Sequence, residues 1–330
     1  MLNTEQRLQR LAARELPKRN PGPTSVLRSY MQLTKVGLNG LVVFTTFVGF
    51  VVASPEAPNA VRLVWTLAGT ALAALGASAI NQWIERRRDA LMLRTRKRPL
   101  PSGRISAPAG LLAGLSLALG GDTLLFVLVN PLTAMLALIV QLTYLLIYTP
   151  LKVRTPLATF AGAVCGAIPP MMGYSAVTGG LPAGAWILGA VLFAWQIPHS
   201  LALAWLYRED YLRGGYRLLP ILETNGRTTS HAVLLYTAAL LPLALALVLA
   251  GQAGVVFAAG ACVLGVLLLV SGYRLYLTRS EFEARRLFLA SIAYLPLLLI
   301  LLLLDSEPPA RAAMPVPASP ATIQTAEAGR

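Results

Sequence analysis

Residues 61–80 read VRLVWTLAGTALAALGASAI, and the chain runs from them directly into NQWIERRRDALMLRTRKRPLPSG at 81–103. The first stretch carries one charge, Arg62. It is long enough to cross a hydrocarbon core about 30 Å thick, which takes roughly 20 apolar residues in a helix. The second carries eight Arg or Lys by Arg104, beside the carboxylates Glu85 and Asp89. Basic residues alone would suffice to halt a membrane helix. They do not require Asn81, Glu85 and Asp89 at intervals of four, which on a helix fall along one face with neighbours about 5–6 Å apart. Such a row of hard oxygen donors suits Mg2+, which is usually held by one or two carboxylates together with substrate phosphates. At this point a solvated loop laced with i,i+4 ion pairs explains the spacing equally well.

The rest of the chain repeats the first stretch. Of 330 residues, 56% are hydrophobic and 13% charged, and the mean hydropathy is +0.63. That excludes a disordered chain and argues against a soluble domain. Long apolar runs in lipid mean helices, because a helix satisfies its own backbone groups. Nine such runs are predicted, at 34–53, 61–82, 108–128, 131–150, 156–177, 183–205, 229–250, 254–273 and 285–304. The expected fold class is all-α and polytopic. A basic segment, 1–33, precedes the membrane domain 34–304, and a Pro/Ala/Ser-rich tail, 305–330, is expected to be disordered.

The net charge of +14 is arranged by topology. Basic residues gather before or at Lys35, between segments two and three, at Lys152 and Arg154, at Arg208 to Arg227, and at Arg274 to Arg286. The opposite connections, near Glu56, Asn130, Gly180 and Gln252, hold only Arg62. This positive-inside bias predicts a cytoplasmic N-terminus, an external C-terminus and residence in the cytoplasmic (inner) membrane, with no call for nucleic acid as a partner. Cys165 and Cys262 fall inside predicted spans and lack any zinc spacing, so neither a disulfide nor a metal cluster is expected.

A second polar connection follows the sixth segment in FAWQIPHSLALAWLYREDYLRGGYRLLP, Phe193 to Pro220. Trp195, Gln196 and His199 lie in its apolar part, and polar side chains there are expensive unless bonded or used. His199 and Asp210 are three turns apart and share a face if the helix persists. Glu209 and Asp210 form a second acidic pair at the depth of the first. Two acidic clusters ringed by Arg and Lys above an apolar bundle suggest a diphosphate held through Mg2+, with its hydrocarbon tail below. The matching chemistry is ionisation of an allylic diphosphate, with metal and Arg stabilising the leaving group.

Three strings carry a resemblance: NQWIERRRDALMLRTRKRPLPSG, the YTPLKVRTP portion of 130–174, and WQIPHSLALAWLYREDYLRGGYRLLP. The chain resembles the UbiA-type intramembrane prenyltransferases over about 33–304, and among them the haem-modifying branch. The resemblance implies nine transmembrane helices around a central cavity. It implies transfer of farnesyl from farnesyl diphosphate to a vinyl group of haem B, with Mg2+ as cofactor. Downstream partners would be a haem A synthase or oxidase assembly proteins. By position, Asn81, Glu85 and Asp89 would bind Mg2+–diphosphate, with Glu209 and Asp210 as the second acidic site. Arg94 and Arg98 would neutralise phosphate, with Lys152 and Arg154 in reach of the same anion. Trp195, Gln196 and His199 would lie on the haem side, His199 as iron ligand or orienting donor.

Glu85 stands where the family has an aspartate, Arg87 where another acid is common, and Ser200 where Phe follows the His. Asp122, beside Gly120 and Gly121, has no role in this reading. Prenylation of an aromatic quinone precursor or chlorin is the alternative within the superfamily, a membrane transporter the alternative outside it, and an assembly factor without chemistry a further one.

Overall fold

The computed structural model describes residues 23–306, so most of the basic N-terminal segment and nearly all of the tail lie outside the described residues. Helix α1 (Pro23–Leu33) precedes α2 (Val36–Ala53), α3 (Ala60–Asp89), α4 (Ala107–Leu128), α5 (Pro131–Leu151), α6 (Ala158–Thr178) and α7 (Ala183–Leu206). Two short helices, α8 (Arg208–Arg213) and α9 (Leu219–Leu222), lead into α10 (Arg227–Leu249), α11 (Val255–Thr278) and α12 (Glu281–Leu304). Among the described residues nine helices, α2 to α7 and α10 to α12, are long and apolar enough to cross a membrane. The protein is a multi-span, all-helical membrane protein.

Local chemistry sets the helix starts. Asn59, Ser106, Asn130 and Ser280 each accept a backbone N–H of the first turn of α3, α4, α5 and α12. Pro131 occupies the first turn of α5, where its missing N–H is harmless.

The second predicted span ended at 82, but α3 runs on to Asp89 as one 30-residue helix. Nothing in 83–89 breaks a helix, and Arg86, Arg87 and Arg88 in the last turn complement its negative end. The oxygen ladder therefore lies inside the helix and not past its end. The predicted face shared by His199 and Asp210 is not formed. Helix α7 stops at Leu206, Tyr207 leaves helical geometry (φ −109°, ψ 28°), and α8 begins a new axis.

Small residues let two helix pairs approach closely. Helix α3 packs on α4 through Gly69, Ala73, Gly76, Gly114, Ala118 and Gly121, and α2 packs on α6 at Gly49 and Gly173. Helix α7 lies in the densest part of the bundle against α6, α10 and α12, burying Leu188, Trp195, Ile197 and Leu201. Asp122 is explained by its neighbour: Gln141 of α5 donates to its Oδ1 at 2.6 Å, joining α4 to α5. Both cysteines are free.

Candidate active site

The α3 ladder faces inward. Asn81 is fully buried, Glu85 6% exposed and Asp89 1% exposed. Each oxygen donor meets a cation. Lys152 Nζ lies 2.5 Å from Glu85 Oε1, which also accepts from Tyr216 OH at 3.0 Å. Arg98 Nη1 donates to both Asp89 oxygens, at 2.8 and 3.0 Å. Asn81 Oδ1 accepts from Lys35 Nζ at 3.1 Å and from Tyr144 OH at 3.0 Å, while its amide nitrogen donates to Thr149 Oγ1 at 2.9 Å. Burial by itself would lower Lys152, but the adjacent Glu85 carboxylate outweighs it and holds the ammonium well above its ordinary value. Among the described residues Lys35 has no carboxylate in ion-pair contact. Burial first and the Arg98 guanidinium second pull it down to about 7.

Lys35, Tyr144, Tyr148 and Tyr216 escaped the sequence reading. Tyr144, Tyr148 and Lys152 repeat the ladder's i, i+4, i+8 spacing, and Tyr144 and Lys152 meet Asn81 and Glu85; that spacing is the signal that would have found the two tyrosines. Residues Thr143–Tyr148 form a wider π-type turn of the kind that recurs at functional sites, ahead of Pro150. It stacks Tyr144 on Tyr148 at 5.6 Å and sets Lys152 Nζ 4.5 Å from the Tyr148 ring centre. Lys35 sits in the left-handed region (φ 52°) at the sharp turn between α1 and α2, a conformation disfavoured for a side chain with a Cβ.

The two polar connections close on one another over the ladder. Asp210 Oδ1 and Oδ2 accept the backbone N–H groups of Leu93 and Arg94, each at 3.0 Å. Arg94 lies over the Tyr207 ring at 4.7 Å, and Arg88 donates to Gly214 O at 3.1 Å. Arg104 binds Ser29, Gln32 and Lys97 O, which fastens α1 to the same cover. The carboxylate of Asp210 thus holds the basic loop, whereas the Glu209 side chain is 87% exposed and, among the described residues, meets Arg213 at 3.4 Å. Arg154 is exposed. Asp210→Ala is expected to leave two backbone donors without their acceptor, at a loss of about 1–3 kcal/mol. Limited trypsin digestion should then cut at 94–98 at least about tenfold faster, the factor that 1.4 kcal/mol of easier opening gives. Asp210→Asn, which keeps one acceptor, should fall between.

On α7, His199 stacks on the rings of Trp195 (4.8 Å) and Phe288 (5.0 Å), and its Nδ1 is 2.9 Å from Ser291 Oγ. Gln196 Nε2 donates to Ser200 Oγ at 3.2 Å. The structure thus brings Asn81, Glu85, Asp89, Arg98 and Lys152 into one buried cluster, with Asp210 and Arg94 in its cover, and Trp195 and His199 together on α7.

The ladder fits a divalent cation in kind. It offers an amide oxygen and two carboxylates along one buried face, and Lys35, Lys152 and Arg98 stand against those oxygens as the positive charge there. Residues 42–293 match the UbiA prenyltransferase family. The chain is 40% identical over 288 residues to the protoheme IX farnesyltransferase of Solibacter usitatus, covering 84% of this chain and 99% of that protein. It is 39% identical over 277 residues to the mitochondrial protoheme IX farnesyltransferase of Homo sapiens, covering 84% of this chain and 62% of that one. Among solved structures it is similar to a digeranylgeranylglyceryl phosphate synthase, with a TM-score of 0.72 at 16% identity over 85% of this chain and 98% of the other. It is also similar to a UbiA homologue from Archaeoglobus fulgidus bound to DMAPP and Mg2+, with a TM-score of 0.57 at 14% identity over 83% of this chain and 99% of the other.

Proposed function

Because this chain belongs to the UbiA prenyltransferase family, we propose that it is an intramembrane farnesyltransferase that joins farnesyl diphosphate to a vinyl group of haem B and adds water, giving haem O. The observation that carries the reading is the buried ladder of Asn81, Glu85 and Asp89, closed by Lys35, Lys152 and Arg98 at one end of an apolar bundle. Identity near 40% over most of the chain to proteins named for that reaction supports the acceptor.

Mg2+, when bound, would be held by Asn81, Glu85 and Asp89, and supplies positive charge that helps the diphosphate leave. The chain's own cations do the rest. Lys152, Arg98 and Lys35 are already poised at this depth, and they can exchange carboxylate and amide oxygens for phosphate oxygens with little displacement. Arg94, held over Tyr207, extends the same field to the rim, and Arg154 lies on the exposed surface nearby. Asp210 fixes the loop that carries Arg94 and Arg98. Of the acidic pair, Glu209 retains oxygens open to a second ion.

As the farnesyl C1–O bond breaks, C1 bonds to the terminal vinyl carbon and positive charge passes to the carbon beside the porphyrin. A water oxygen adds there and loses a proton. Trp195, Gln196 and His199 would form the haem side, where aromatic faces shelter the cation. The charge distribution supports an inner-membrane protein with its N-terminus and the ladder end in the cytoplasm and its C-terminus outside. A haem A synthase or oxidase assembly proteins would receive the product.

Purified protein in lipid nanodiscs, supplied with farnesyl diphosphate, haem B and Mg2+, should yield haem O by pigment extraction and mass spectrometry. Chelation should lower that yield by about 10²–10³-fold, the equivalent of the several kcal/mol a metal supplies to a leaving anion. Prenylation of an aromatic quinone precursor with haem B left untouched would overturn the assignment of the acceptor.

A further inference from the structure

The contacts around Ser291 on α12 decide which nitrogen of His199 carries its proton. Ser291 Oγ donates to Phe288 O at 2.7 Å. A serine hydroxyl has one proton, so toward His199 Nδ1, 2.9 Å away, the same oxygen can only accept. Both contacts are hydrogen bonds at once only when Nδ1 carries the proton and donates to Oγ, which leaves the lone pair on Nε2. Nε2 has no hydrogen-bond partner among the described residues, yet it is not a sealed, unsatisfied atom. Ser291 also fixes the neighbouring ring, since Trp195 Nε1 donates to Ser291 O at 2.8 Å. One residue of α12 thus orients both Trp195 and His199 of α7.

The reaction read above needs a proton acceptor at one step. When water adds to the carbon beside the porphyrin, its oxygen forms the new C–O bond and one proton must go elsewhere. That reading puts the diphosphate at the ladder, among the cations that neutralise it, and among the described residues His199 shares no hydrogen bond with any ladder residue. We propose that His199 Nε2 takes that proton, and that Ser291 is the positioning residue that presents the lone pair. The ring faces support this over iron ligation. Trp195 and Phe288 stack on the ring at centroid distances of 4.8 and 5.0 Å, and such faces stabilise the imidazolium that proton transfer creates but add nothing of that kind for a neutral ligand. The imidazolium then returns its proton to water. This inference rests on the haem farnesyltransferase reading and goes beyond it.

The chain has two histidines, His199 and His231, so 15N-imidazole labelling gives two assignable ring systems, with His231→Asn identifying the other. His199 should show a protonated Nδ1 and a bare Nε2, and Ser291→Ala should shift it to a tautomer mixture. This arm needs no substrate. An Nε2–H tautomer in the unaltered protein, or no response to Ser291→Ala, would overturn the proposal. In turnover, His199→Ala should lower the water-added product by about 10²–10⁴-fold, the range a general base supplies, and divert the cation to an alkene by proton loss. Added imidazole should restore hydration. Hydrated product at the unaltered rate, or a low-spin imidazole-ligated haem spectrum lost in His199→Ala, would each refute the base role. If the unaltered protein makes no haem O at all, the parent reading fails instead.

Discussion

Lys152→Met is expected to destabilise the protein by about 3–5 kcal/mol, because it strands the buried Glu85 carboxylate without its counter-charge. The two side chains are 10% and 7% exposed and 2.5 Å apart, so water cannot take the lysine's place cheaply. Tyr216 would remain as a donor at 3.0 Å, but a phenol only hydrogen-bonds a charge and does not neutralise it. Adding Glu85→Gln should recover most of the lost stability, since replacing both members of a buried pair with neutral groups is often close to neutral. Activity should not recover. On the proposed roles the double variant lacks a metal oxygen and a phosphate counter-charge together, and removal of even one preorganised electrostatic group lowers turnover by about 10²–10³-fold. Thermal unfolding in detergent and haem O yield separate the two effects. A Lys152→Met protein as stable as the unaltered one would show that Glu85 is not held as described. A double variant with full activity would remove both residues from the machinery.

The nine spans were legible because an uninterrupted apolar run of membrane length has few other uses. What the run does not encode is where polar residues stop being solvated. The second span was ended at 82 because Glu85 to Arg88 read as surface, whereas distant residues supply Glu85 and Asp89 with partners that let the helix continue. Those partners explain the residues that were missed. Lys35 is 46 positions from Asn81, Tyr144 is 63 from it, and Tyr216 is 131 from Glu85. No local pattern joins such pairs, and only the Tyr144–Tyr148–Lys152 spacing gave a local hint. The converse holds for Glu209. Its neighbour Asp210 turns inward to two backbone amides, and a one-residue step on a short helix leaves Glu209 facing water.

Adjacent glycines in α4 provide the sharpest test of how the ladder is positioned. A Cβ on Gly121 would meet Ala73 N at 2.4 Å and Gly69 O at 2.7 Å, both backbone atoms of α3 that cannot rotate away. A Cβ on Gly120 would meet nothing within 4 Å. Gly121→Ala should therefore force α4 off α3, with overpacking that typically costs about 1–3 kcal/mol and more where backbone must move. Gly120→Ala should leave stability unchanged or raise it by roughly 0.5–1 kcal/mol, since alanine restricts the unfolded chain more than glycine does. The functional consequence follows from continuity. Asn81 lies two turns beyond Ala73 on the same rigid helix, so a shift at the seam is carried to Asn81, Glu85 and Asp89. Misplacing reacting groups by about 1 Å can lower a rate by about 10²-fold. Haem O formation and unfolding temperature measured side by side should thus fall together in Gly121→Ala and hold in Gly120→Ala. Equal behaviour of the two variants would mean that close contact at the α3–α4 seam does not set the position of the ladder.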